Sequence, residues 1–209
     1  MNALDIIRAQ GVVAIVRSAT PDEAATAVRT LVAAGLRAVE VSLVTPDALG
    51  VVERAIAESP EGVAIGVGTV LSPADAEASA RVGAQFIVSP AFDADVIRTA
   101  LANGMDVVPG VATPTEAVQA VRAGATAVKL FPASLWSPDV LHEVLVAMPW
   151  LETVPTGGVT AATAPEWIRS GAVAVGIGSA LTRAADPLTT ARDLLSAIAS
   201  ARSESGRPA

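Results

Sequence analysis

The sequence predicts a single (β/α)8 TIM barrel, and three recurring features predict it. Eight short runs rich in valine and isoleucine punctuate the chain. The helical segments between them repeatedly open on a hydroxyl–proline pair, and glycines stand just before successive runs. The runs lie at Val12 to Val16, Ala38 to Val41, Ala64 to Val67, Phe86 to Val88, Asp106 to Val108, Ala127 to Leu130, Thr153 to Val154 and Ala174 to Ile177. Thr20-Pro21, Thr45-Pro46, Ser72-Pro73, Thr113-Pro114 and Ser137-Pro138 each place a capping hydroxyl before a proline at the first helical position. Gly35, Gly83, Gly104, Gly124 and Gly171 supply the left-handed residue that ends a helix before the next strand. The phrases AGLRAVEV, VGAQFIVS, NGMDVVPG, AGATAVKL and SGAVAVGI thus read as one repeated joint. An open flavodoxin-like sheet shares this local pattern but has fewer strands, so eight runs favour closure.

A length of 209 residues suits one such domain, over 1–200, with residues 201–209 of the small, polar ending SARSESGRPA expected to fray. Although 52% of the residues are hydrophobic, charges and Gly/Pro interrupt every apolar stretch short of the roughly 18–20 residues a spanning helix requires. The expectation is a soluble protein that engages no membrane. MNALDIIRAQ lacks the features of a secretory signal, and the absence of cysteine removes disulfides and thiolate metal sites, which fits the cytoplasm. A formal charge of -7 with no basic cluster argues against nucleic acid as a partner.

Barrel chemistry collects at the C-terminal ends of the strands, so the polar residues closing each run are the candidates. Lys129 is the only lysine and lies inside the apolar run AVKLFP, where an ammonium is costly to desolvate. Burial lowers an amine's pKa and frees it to attack a ketone. The alternatives are a lysine reaching to the rim or one paired structurally with Glu40. Glu40 closes AVEV and stands where a proton shuttle is needed, or else neutralises Lys129 or Arg17. Gly157, Gly158, Gly178 and Ser179 follow the last two runs, where barrels frequently hold a phosphate on backbone N–H groups, although turns also require glycine. Arg17 reads equally as an anion fork or a rim residue. Thr69 and Thr156 offer hydroxyls, and Pro90 and Phe131 offer walls, each with ordinary packing as the alternative. His142, the only histidine, reads as a surface residue and excludes a histidine-rich metal centre. Trp136, Trp150 and Trp167 read as packing residues.

With VEVSL, GVGTVL, FIVSP, VVPGVATPTE, VKLFPAS, VPTGGV and GIGSAL in this order, the chain resembles the 2-keto-3-deoxy-6-phosphogluconate (KDPG)/4-hydroxy-2-oxoglutarate (KHG) aldolase family, bacterial class I aldolases with trimeric (β/α)8 barrels. The resemblance implies a Schiff-base lysine at Lys129 and an acid/base residue at Glu40. It implies contacts to the pyruvate portion from Thr69 and Phe131, and a polar, phosphate-binding side at Thr156, Gly157, Gly158, Gly178 and Ser179. Many members carry an arginine where this chain has Val44; others carry one where Arg17 stands, which makes Arg17 the candidate anion site. The implied reaction splits a phosphorylated 2-keto acid into pyruvate and glyceraldehyde 3-phosphate with no cofactor and no metal, in a homotrimer. PTGG leans toward the gluconate substrate, with KHG as a side substrate. The alternatives are the 2-keto-3-deoxy-6-phosphogalactonate epimer and a barrel that binds sugar phosphates without forming an imine.

Overall fold

The computed structural model describes residues 1–204. In chain order the elements begin α1 (Ala3–Gln10), β1 (Val12–Val16), α2 (Pro21–Ala33), β2 (Ala38–Ser42), α3 (Ala48–Glu58), β3 (Ala64–Gly68), α4 (Pro73–Arg81), β4 (Phe86–Val88) and α5 (Ala94–Ala102). They continue with β5 (Asp106–Val108), β6 (Gly110–Val111), α6 (Pro114–Arg122), β7 (Ala127–Leu130), a 3-10 turn (Ala133–Leu135), α7 (Pro138–Ala147), β8 (Glu152–Pro155), α8 (Ala164–Arg169), β9 (Val175–Ile177), α9 (Ser179–Thr182) and α10 (Pro187–Glu204).

All strands pair in parallel, in the orders β5-β4-β3-β2-β1-β9 and β6-β7-β8. β5 and β6 are one strand interrupted at Pro109, which has no N–H to donate but accepts from the Lys129 amide at 2.8 Å. On the other flank, a bridge between Thr156 and Gly176 and the Val173 amide on the Thr153 carbonyl at 3.0 Å join β8 to β9. Eight strands therefore close into the expected (β/α)8 barrel.

The hydroxyl–proline pairs act as expected at four of five sites: Thr20, Ser72, Thr113 and Ser137 cap α2, α4, α6 and α7 through side-chain bonds to the third helical amide. Thr45 does not. It is buried, its hydroxyl accepts from the Ser18 amide, and α3 starts later, behind a left-handed Asp47 with no side-chain cap bond. The loop after β1 has taken the hydroxyl that the helix was expected to use. The five predicted helix-ending glycines all have positive φ.

Residues 1–10, to which the sequence reading gives no element, form α1. Asn2 and Asp5 close a capping box around its first turn. Its apolar face, Ala3, Leu4, Ile6 and Ile7, packs on Val13, Phe86, Val108 and Val154 inside the ring. The Leu4 amide donates to Asp106 at 2.8 Å, and Arg8 pairs with Glu152 at 2.8 Å. α1 thus plugs the N-terminal mouth of the barrel. The C-terminal boundary also shifts: α10 runs through Glu204, beyond the expected end at 200, because buried Arg202 donates to the carbonyls of Ala9 (2.6 Å) and Val173 (2.8 Å) and to that of Arg8. The rest of the expected tail, 205–209, lies outside the described residues. Trp167 is buried and Trp136 half-buried against the core, but Trp150 is exposed and so departs from the packing role expected of it.

Phe86 is the largest fully buried side chain in the barrel, and its ring fills the space a Gly66 side chain would occupy: a Cβ there would lie 2.6 Å from it. Phe86→Ala is expected to cost about 3–5 kcal/mol, read from the urea midpoint at unchanged m-value. A loss below about 1 kcal/mol would mean the ring does not support the barrel interior.

Candidate active site

At the C-terminal mouth a cleft of about 470 Å³ is lined by Arg17, Glu40, Thr69, Lys129, Phe131, Thr156, Gly157, Gly158, Gly178 and Ser179, together with Ile15, Val159, Thr160, Gly176, Ala180, Thr182 and Arg183. Ten of the residues predicted from sequence therefore meet around one space. Pro90 does not line it. Its backbone carbonyl packs against Gly110, where a Cβ would sit 2.3 Å away, so Pro90 shapes the β4–β6 rim rather than the wall of the cleft. His142 is exposed on α7, away from the cleft.

Strand register places the two ionisable groups at the floor. Glu40 lies opposite Ile15 on β1 and Gly66 on β3, and Lys129 opposite Gly110 on β6 and Val154 on β8. Lys129 is 7% exposed and Glu40 is 2% exposed, yet no ion pair within 4.0 Å joins them among the described residues. The Lys129 ammonium sits 4.8 Å from the centre of the Phe131 ring. Burial holds its pKa below the ordinary 10.5; the Glu40 carboxylate opposes that shift, and the Arg17 charge adds to it. Burial raises Glu40 above its ordinary 4.5, against the pull of Lys129 and Arg17. Both groups are pushed toward their neutral forms, the condition for an amine nucleophile beside a proton-carrying acid.

Backbone geometry makes room for this pair. A Cβ on Gly68 would lie 2.5 Å from the Glu40 carboxylate, so glycine is what the carboxylate's position demands at that strand end. Thr69, next in sequence, adopts φ 64, a left-handed conformation costing a β-branched residue about 1–3 kcal/mol, and its hydroxyl shares a 2.7 Å hydrogen bond with Ser42. Gly157 and Gly158 have φ values of 89 and 91, and a Cβ at Gly157 would crowd the Phe131 ring at 3.1 Å. The Thr156 hydroxyl donates to the Val154 carbonyl at 3.1 Å, in the space that the missing side chain of Gly176 leaves open.

The sequence reading missed Arg183, Thr160 and Thr182. The available signal was position: Arg183 and Thr182 follow GIGSAL on the corner after the last strand, as Thr160 follows PTGGV.

The model for the KDPG and KHG aldolases matches residues 4–193. The chain belongs to this family. The 2-dehydro-3-deoxy-6-phosphogalactonate aldolase of Escherichia coli (strain K12) is 40% identical over 173 residues, covering 82% of this chain and 84% of its own. The 2-dehydro-3-deoxy-phosphogluconate aldolase of Treponema pallidum (strain Nichols) is 34% identical over 163 residues, 76% of this chain and 74% of its own. Among solved structures, one described as native KDPGal superposes with a TM-score of 0.83 at 36% identity, covering 93% of this chain and 95% of that one. This chain is thus a KDPG/KHG-type aldolase, a lyase, on a (β/α)8 barrel. No helix among the described residues is long and apolar enough to cross a membrane.

The opposed shifts make stability depend on pH in a defined way. A lysine with a lowered folded pKa binds fewer protons in the folded state, so its cost to stability fades as pH rises toward 10.5. A glutamate with a raised folded pKa costs nothing below 4.5 and an increasing amount above it. The double variant Lys129→Met/Glu40→Gln is therefore expected to be more stable than the parent by about 1–4 kcal/mol near neutral pH in urea denaturation. The gain should shrink toward both pH 4.5 and pH 10.5. A gain independent of pH would show that the pair is not held near neutrality by burial.

Proposed function

We propose that this aldolase works by the class I route, with Lys129 as the nucleophile and 2-keto-3-deoxy-6-phosphogluconate as the substrate. One observation carries the reading: the only lysine of the chain and Glu40 are both buried in the floor of one cleft, and both are displaced toward neutrality. Neutral Lys129 adds to the C2 ketone to form a carbinolamine. Glu40, protonated, delivers the proton that lets water leave and yields the iminium. The iminium draws the C3–C4 bonding electrons into an enamine as the C4 hydroxyl surrenders its proton to the Glu40 carboxylate, directly or through a water. Glyceraldehyde 3-phosphate departs, the enamine is protonated at C3, and water releases pyruvate and regenerates Lys129. The iminium serves as the electron sink, so the proposed route calls for no metal or cofactor.

The cleft supports the accompanying roles. Arg17 acts on both ionisable groups electrostatically and has no carboxylate partner within 4.0 Å among the described residues, which suits it to the substrate carboxylate that Val44 cannot hold. Thr69 and Phe131 flank the pyruvate portion. The loops at Thr156, Gly157, Gly158, Gly178 and Ser179 bring backbone and hydroxyl groups to the phosphate. A homotrimer, with 4-hydroxy-2-oxoglutarate as a side substrate, follows from the family resemblance, and a cytoplasmic setting fits the absence of cysteine.

A second reading changes a single stereocentre. The 40% identity to the galactonate enzyme of Escherichia coli exceeds the 34% to the gluconate enzyme of Treponema pallidum, which favours the C4 epimer against the lean of PTGG. Pyruvate release through a lactate dehydrogenase couple, with both keto-deoxy phosphates side by side, separates the readings. The gluconate assignment expects faster cleavage of the first, whereas faster cleavage of the second transfers the assignment to the epimer. In either case Lys129→Ala is expected to lower kcat by at least about a thousandfold, since without the amine no iminium forms. A variant that keeps its rate would leave only a non-covalent binder.

A further inference from the structure

The proposed substrate is anionic at both ends, a carboxylate at C1 and a phosphate at C6, whereas the assignment so far gives only one end a cationic side chain. A second arginine, Arg183, lines the cleft. Its place is set by the last strand: Gly178 and Ser179 turn the chain out of β9 into α9, and one turn later the Arg183 amide donates to the Ser179 carbonyl at 3.0 Å. Arg183 thus rises from the same corner as the groups proposed to receive the phosphate, while Arg17 follows β1.

One feature separates the arginines by task. The Arg17 charge acts on Lys129 and Glu40, and Arg183 is not among the charges that shift either group, which sets it apart from the reacting carbon. Neither has a carboxylate within 4.0 Å among the described residues, so both guanidiniums are available to a ligand. Arg183 and Arg17 also border an outer groove beside α2, but Asp22 and Glu23 line that groove and disfavour a dianion there. In the cleft the one lining carboxyl is Glu40, at the opposite task.

We infer that Arg183 is a specificity-determining residue that grips the substrate's terminal phosphate and makes the enzyme prefer phosphorylated over unphosphorylated 2-keto-3-deoxy acids. The inference rests on the aldolase reading above and adds a residue to it. A guanidinium fork matches phosphate oxygens, and its charge supplies what backbone donors alone supply weakly in a protein of net charge -7.

The test compares Arg183→Ala with the parent on a keto-deoxy phosphate and on its dephosphorylated analogue. Arg183 is exposed, so the truncation leaves no cavity in the core. On the phosphorylated substrate kcat/KM is expected to fall about 10- to 100-fold, chiefly through KM, the range for a hydrogen bond to a charged group. On the dephosphorylated analogue kcat/KM should be unchanged, inorganic phosphate should inhibit the variant less than the parent, and Arg183→Lys should recover part of the loss. Equal losses on both substrates, or no loss on either, would overturn the inference. Borohydride trapping with pyruvate distinguishes the two levels of the account. An adduct on Lys129 in both proteins leaves the aldolase reading standing whatever Arg183 does, whereas no adduct in the parent removes that reading itself.

Discussion

The upper half of this barrel is organised around one constraint: an amine and a carboxyl group must be kept from bulk water without collapsing into an ion pair. Transfer of either charge into the protein is costly, and a tight pair would recover part of the cost by fixing both groups as ions. Here Lys129 and Glu40 come from strands on different sides of the mouth, and no ion pair within 4.0 Å forms between them. Gly68 yields the space for the carboxyl, Phe131 faces the ammonium, and Thr69 holds a left-handed backbone beside them. The left-handed Thr69 backbone and the burial of two ionisable groups are unfavourable for folding alone, and the Phe131 ring offsets part of that cost. On the proposed route they keep proton and lone pair available for chemistry.

That cost is tolerable because the opposite end of the barrel is apolar and closed. α1 caps the ring with Leu4, Ile6 and Ile7, Phe86 fills the interior above them, and Arg202 ties the end of α1 to the entry of β9 through backbone carbonyls. Stability and reactivity are thus divided along the barrel axis, with packing below and strained or desolvated groups above. The division agrees with the general placement of function at the C-terminal face of such barrels.

The legible parts of the sequence were those whose signal is local. Strand runs, four hydroxyl–proline caps and the glycine helix ends depend on neighbours a few residues away, and the structure bears them out. Lys129 and Glu40 stood out because a charge inside an apolar run is conspicuous without any partner in view. Other features depended on tertiary contacts. Thr45 lost its capping role to the Ser18 amide, Pro90 turned its backbone to Gly110, and Arg202 was held in place by carbonyls far away in sequence. Arg183 sits in an ordinary-looking polar stretch, and only the turn out of β9 brings it to the cleft.

The central claim, that burial makes Lys129 a neutral nucleophile, has a direct measurement because the chain contains one lysine. Protein labelled with carbon-13 at the lysine ε position gives a single side-chain resonance, which can be followed against pH and then with pyruvate. The account predicts a titration midpoint below the ordinary 10.5 and a new imine resonance on adding pyruvate. A midpoint at or above 10.5, with a resonance that pyruvate leaves in place, would contradict it.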